Sequence, residues 1–330
     1  MLLSANTAAT LGVAREQVGR DEVRFHDVGV GGGDAFAVSE RLFVSLPDGT
    51  TFGPARAEVG PLGGGVMDLL ARAAVGDLDV AGMPAMAGKV VVMDASAVNK
   101  AADTLHTTVL DARHGGLSTV PRTRRHVRLS FADFAPYTTT DPPTAAGPAM
   151  VANPFIGPSP LHRAGDRTPP VLVSHNGRQS TGSWLLDTGA AASMISHRQA
   201  AALGVTYVPG TDGTDAPQLA GVPADRQFTM TVGGIGGTKK AVGFYLERLT
   251  LRTTEGRTIN YLHAPVLVAD VTAKNDRDDT SLTLDGVFGM NFLVASAKLT
   301  EGTLPDIDHV TAGPYRWIVF DQPRGLLGLD

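Results

Sequence analysis

Residues 183 to 196 read SWLLDTGAAASMIS: two leucines, then Asp187-Thr188-Gly189, then small residues leading into a second apolar pair. An aspartate in such a setting is a candidate for half of an acid–base pair. Cleaving a peptide bond with water, and without a metal or a covalent nucleophile, requires one carboxylate to act as base and another as acid. Two carboxylates about 3 Å apart cannot both ionise, so they share a proton and hold the attacking water between them. Their titration belongs to the pair. The Thr188 hydroxyl and the Gly189 amide are of the right type to hydrogen-bond such carboxylates, and Gly189 permits two backbones to approach closely. A single Asp187 supplies only one half, and the other half has to be sought elsewhere in the 330 residues.

Self-similarity within the chain shows where. Residues 194 to 205, MISHRQAAALGV, lie 192 positions after LLSANTAATLGV (2 to 13), and six of the twelve positions are identical. Each stretch has an apolar pair, a serine suited to capping a helix, a short Ala-rich helix and a Gly stop. GVGGGDAFAV (29 to 38) pairs similarly with GIGGTKKAV (234 to 242), each a glycine-rich tip followed by an alternating strand as in a β-hairpin. DVAGMPAM (79 to 86) matches DGVFGMNFL (285 to 293), and KVVVMD (89 to 94) matches RWIVFD (316 to 321). The chain thus reads as two copies of one β unit, roughly 1 to 98 and 171 to 330. The same offset carries Asp187 to a position before Met1, so the partner carboxylate is expected upstream of where this sequence starts.

Three of these segments together resemble the retropepsin-like and pepsin-like aspartic peptidases. LLDTGA is similar to their catalytic loop, VGGIGG (232 to 237) to the retropepsin flap tip, and GVFGMNFL (286 to 293) to the segment that packs behind the catalytic loop. SHNGRQSTGSWLLDTGA (174 to 190) also resembles the hairpin that leads into the active aspartate. The resemblance implies an all-β, bilobal acid-protease fold: two related β lobes with a few short helices and a substrate cleft between them. It implies that Asp187, Thr188 and Gly189 are catalytic. It also implies that Gly234, Ile235 and Gly236 of one hairpin tip, with Gly31 and Gly32 of the other, fold over a bound polypeptide, exclude water and hydrogen-bond its backbone. Val287, Phe288 and Gly289 would be core residues whether or not the chain is active.

Composition agrees with an all-β class. There are 39 glycines and 21 prolines, charged residues make up only 18%, and short β-branched runs recur between turn signals. A net charge of −5 argues against a dedicated nucleic-acid binder. The one basic concentration, Arg122, Arg124, Arg125 and Arg128, reads as a solvated strand face. Without cysteine there is no disulfide, thiolate zinc site or cysteine nucleophile. GVGGGD (29 to 34) lacks the spacing and the following helix of a nucleotide loop. KNDRDD (274 to 279) and DIDH (306 to 309) lack calcium-loop spacing. The nine histidines form no H-E-x-x-H pair, and no serine sits in a G-x-S-x-G elbow. No metal and no cofactor are called for. No run is long and apolar enough to span a membrane, and the N-terminus lacks a signal-peptide pattern.

The expected organisation is a first lobe at 1–135 without its own Asp-Thr/Ser-Gly loop, a Pro/Gly-rich connection at 136–170, and a second lobe at 171–330 carrying Asp187. Within the first, RHVRLSFADF (125 to 134) alternates with Val127, Leu129 and Phe131 on one face and should join a sheet shared by both lobes. Residues 136–170 show no apolar period and read as an extended surface connection. The expected activity is that of an aspartic endopeptidase of bacterial, extracytoplasmic or secreted type, acting on polypeptide as a monomer. Two alternatives stand beside it: a catalytically inactive relative that binds extended peptides by strand addition, and a homodimer in which two Asp187 residues meet across a twofold axis.

Overall fold

Short runs of Val, Ile, Phe and Thr cut by Gly and Pro favour strands over helices. Strand accounts for 52% of the described residues. The computed structural model describes residues 1–45, 49, 51–61, 79–98, 105–112, 116–134, 139–142, 151–162, 165–235, 237–275, 280–297, 310–312 and 315–330. Among these, α-helix is confined to Ala5–Thr10, Gly82–Met86 and His197–Ala202. The first and third start as the sequence indicates. Ser4 caps the first by accepting from Thr7 N, and Ser196 caps the third by accepting from Gln199 N. Among the described residues no helix is long and apolar enough to cross a membrane.

Two sheets hold most of the strands. The smaller runs in the order Leu2–Leu3, Glu58–Pro61, Gly32–Val38, Arg24–Gly29, Thr139–Asp141. Leu2 and Leu3 lie parallel to Glu58 and Val59, and Leu2 exchanges two backbone hydrogen bonds of 2.8 Å with Val80 on its other side. In the larger, fourteen-stranded sheet, Lys89–Asp94 pairs antiparallel with Trp317–Asp321, placing Val92 opposite Val319. Strands from the first hundred and the last fifteen residues therefore share one sheet. Arg125–Ala132 joins the same sheet between Leu326–Leu329 and Asn153–Ile156, with Val127 and Leu129 buried and Arg122, Arg124, Arg125 and Arg128 exposed.

The stretch 136–170 differs from the expected surface connection. Thr139–Asp141 adds to the edge of the smaller sheet, and Asn153–Ile156 is an interior strand of the larger one, where Phe155 and Ile156 are fully buried. Its apolar run of Phe155 and Ile156 is too short to show a period, and its burial comes from partners distant in sequence, Leu129 on one side and Trp184 on the other. The acidic stretches at 276–279 and 306–309 lie outside the described residues.

The main core gathers against the larger sheet. Trp184, Ile156, Ile195, Phe244, Leu249 and Phe288 are all fully buried there. Burial of side chains of this size stabilises the fold by about 1.5–3 kcal/mol each, and it fixes the strands from which the candidate site projects.

Candidate active site

Asp187 stands at the end of a three-residue strand. Trp184–Leu186 runs parallel to Gly286–Phe288, with Leu186 opposite Phe288, and the Asp187 N–H extends the ladder by donating to the Phe288 carbonyl at 3.1 Å. The chain then turns. Gly189 N donates to Asp187 Oδ1 at 2.8 Å, and Ala190 N to the Asp187 carbonyl at 3.3 Å. After this turn Met194–Ile195 returns antiparallel along the other edge of Gly286–Phe288. The loop 187–193 therefore straddles the end of one short strand.

Two glycines permit that crossing. A Cβ at Gly286 would come within 2.6 Å of the Trp184 ring, and one at Gly289 within 2.7 Å of the Ala190 carbonyl oxygen. The loop is tied down from behind by hydrogen bonds from Gly289 N to Ser193 Oγ (2.9 Å), from Ser193 Oγ to Asn291 Oδ1 (2.7 Å) and from Met290 N to the Ala190 carbonyl (2.8 Å). Trp184 Nε1 donates to Gln199 Oε1 at 2.9 Å, which joins the strand to the third helix. Val287 and Phe288 are buried behind the loop, while Thr188 and Gly189 are exposed at its crest. Burial raises the Asp187 carboxyl above the usual carboxylate range, and the Gly189 and Ala190 N–H groups partly offset this. No second carboxylate acts on it among the described residues.

Two hairpins approach this loop. The first joins Arg24–Gly29 to Gly32–Val38, and the second joins Gln227–Gly234 to Gly237–Arg252. Each closes on a glycine pair, Gly29 opposite Gly32 and Gly234 opposite Gly237, and in each the last glycine has a positive φ, +118° at Gly32 and +110° at Gly237. The tips touch. Gly31 N donates to the Ile235 carbonyl at 3.1 Å, a Cβ at Gly29 would lie 2.9 Å from Ile235 Cβ, and one at Gly234 would lie 3.2 Å from Val30 Cγ1. Val30, Val232 and Met230 belong with Ala190 and Ala192 to one apolar cluster, so both hairpins and the Asp187 loop bound a common space. Gly234 and Gly32 are exposed; Gly236 lies outside the described residues.

The sequence did not single out Ser193 and Asn291, which hold the loop, or a pair of carboxyl groups, Asp27 and Glu58, that hydrogen-bond to one another beneath the first hairpin. The signal for that pair was present in the internal similarity, because the same positions counted from the second tip carry Val232 and Leu267. In comparisons with known proteins, no family model matches the chain and no curated protein matches it.

Proposed function

We propose that this chain is an aspartic-type endopeptidase with the bilobal acid-protease fold, in which Asp187 holds and activates the water that attacks a peptide bond. The observation that carries this reading is the Asp187 loop. It is bonded at Phe288, closed over Gly289, and sits beneath two hairpins that meet tip to tip. A carboxyl group whose pKa is raised by burial, next to exposed backbone N–H groups and a space that a hairpin can close, suits acid–base work on an extended chain.

Several registers support the two-lobe reading. Leu2 lies parallel to Glu58 and bridges Val80; Met194 lies parallel to Leu267 and pairs with Val287. Both apolar pairs precede a serine-capped six-residue helix. Val92 and Val319, which occupy the same place in the KVVVMD and RWIVFD segments, are direct cross-strand partners, as residues on a local twofold axis would be. In the second half the outer edge beside Val287 carries Trp184–Leu186. In the first half the corresponding edge is at Val80, which is 39% exposed, and a strand bearing a second carboxylate would fit beside it.

One observation favours a second reading, a peptide-binding relative without catalysis: among the described residues Asp187 has no carboxylate partner. A graft separates the two. Adding SWLLDTGAAA, the chain's own residues 183–192, ahead of Met1 reproduces the second-lobe spacing in the first. On the peptidase reading a statine-type mimic raises the melting temperature of the grafted protein, and Asp187→Asn removes that shift. A folded graft whose melting is indifferent to the mimic favours the binding module.

A further inference from the structure

Asp27 lies two residues before the tip glycine Gly29, on the strand Arg24–Gly29; Glu58 opens the strand Glu58–Pro61. Both strands flank Gly32–Val38, where Asp27 faces Asp34 and Glu58 faces Val38, four residues further along. In a flat sheet, two strand spacings and four residues would leave the two positions about 16 Å apart. Their carboxyl groups nevertheless share a hydrogen bond. The hairpin is therefore folded over the strand Glu58–Pro61. The register shift between Phe36 and Ala37 is the point at which it bends, as bulges do.

The second hairpin makes the same fold with different chemistry. Counted from its tip, the equivalent positions are Val232, opposite Lys239, and Leu267, opposite Gly243, and both side chains lie in one buried apolar cluster. Where the second hairpin has two apolar side chains of one buried cluster, the first has two carboxyl groups. Burial raises both, Glu58 to about 8, and two carboxylates this close cannot both ionise cheaply. The groups facing the pair are few. Val28 N donates to Asp27 Oδ1 at 2.8 Å, Asp34 stands across from Asp27, and the Met1 amino group adjoins from the strand Leu2–Leu3. On the hairpin's outer edge, Thr139 and Asp141 are opposite His26 and Arg24.

We propose that the first hairpin is a pH-operated latch: one proton shared by Asp27 and Glu58 holds it down on the strand Glu58–Pro61, and loss of that proton lifts it. Lifting breaks the tip contact between Gly31 and Ile235. The hairpin movement stands independently of the peptidase reading, which enters only in saying that the latch gates a substrate cleft.

Hydrogen exchange by mass spectrometry on the whole chain tests it. After correction for intrinsic exchange, protection of residues 24–38 should be greatest below about pH 4.5, fall by up to about tenfold per pH unit from there to about pH 8 and level off above it, while that of residues 227–234 changes less. Glu58→Gln keeps a hydrogen-bonding side chain but removes one of the two titrating carboxyls, and should make the first hairpin's protection depend less on pH. The double change Asp27→Val, Glu58→Leu copies the second hairpin and should do the same should the single variant fold poorly. Protection that stays flat in the unmodified chain, or that falls as steeply in Glu58→Gln, overturns the latch. Because exchange is read without substrate, neither result depends on peptidase activity.

Discussion

Gly31 N–H of the first hairpin donates to the Ile235 carbonyl of the second at 3.1 Å, so two segments more than two hundred residues apart close on each other above the Asp187 loop. The contact depends on small residues. A Cβ at Gly29 would come within 2.9 Å of Ile235 Cβ and 3.0 Å of its carbonyl oxygen. Gly29→Val should therefore part the tips. Faster hydrogen exchange at both tips is expected, with a change in global stability of only about 0.5 kcal/mol, as for a solvent-side substitution. Unchanged exchange at residues 29–31 would mean that the tips do not depend on this approach.

The crossing at Gly289 should be far less forgiving. Gly289→Ala puts a methyl 2.7 Å from the Ala190 carbonyl and 2.9 Å from the Ala192 backbone, with no flexible side chain to yield. A loss of about 1–3 kcal/mol in urea unfolding is expected. Gly33→Ala is the control, since its nearest neighbour would be at an ordinary 3.6 Å.

Ser193 is buried, accepts from Gly289 N and donates to Asn291 Oδ1. Ser193→Ala leaves a buried N–H and a buried carbonyl oxygen each short of a partner. The expected cost is about 1–3 kcal/mol, measured by the shift of the urea midpoint. Ser193→Thr, which keeps the hydroxyl, should recover part of it if the extra methyl is accommodated.

Stability should fall as pH rises between about 5 and 8. Glu58 has an ordinary value of 4.5 and is raised to about 8 in the folded chain, so across this window the folded state binds more protons than the unfolded one. Its contribution is fully present below the unfolded value and is lost as pH rises through the folded one. The raised Asp27 and Asp187 act with the same sign. Urea unfolding at several pH values should show this slope, and Glu58→Gln should flatten it.

Much of this arrangement is legible in the sequence where local rules decide. Ser4 and Ser196 cap their helices as their spacing indicates, both hairpin tips turn at the glycines that mark them, and LLDTGA forms the expected loop on GVFG. What escaped is set by distant partners. Phe155 and Ile156 lie in a Pro- and Gly-rich stretch and become interior only because Leu129 and Trp184 flank them. Asp27 and Glu58 look like ordinary solvent-facing strand charges until the bend at Phe36 and Ala37 folds one over the other.

The most direct test of the central claim is hydrolysis of an unfolded protein by the grafted chain, with and without Asp187→Asn. A lone aspartate cannot serve as acid and base on both sides of the scissile bond, and losing one partner costs about three orders of magnitude or more in rate. Cleavage at acid pH by the graft is expected, with near-absence of cleavage by the 330-residue chain as a monomer and abolition by Asp187→Asn with folding retained. Undiminished cleavage by the Asp187→Asn graft would contradict the central claim and return Asp187 to the role of a structural turn residue.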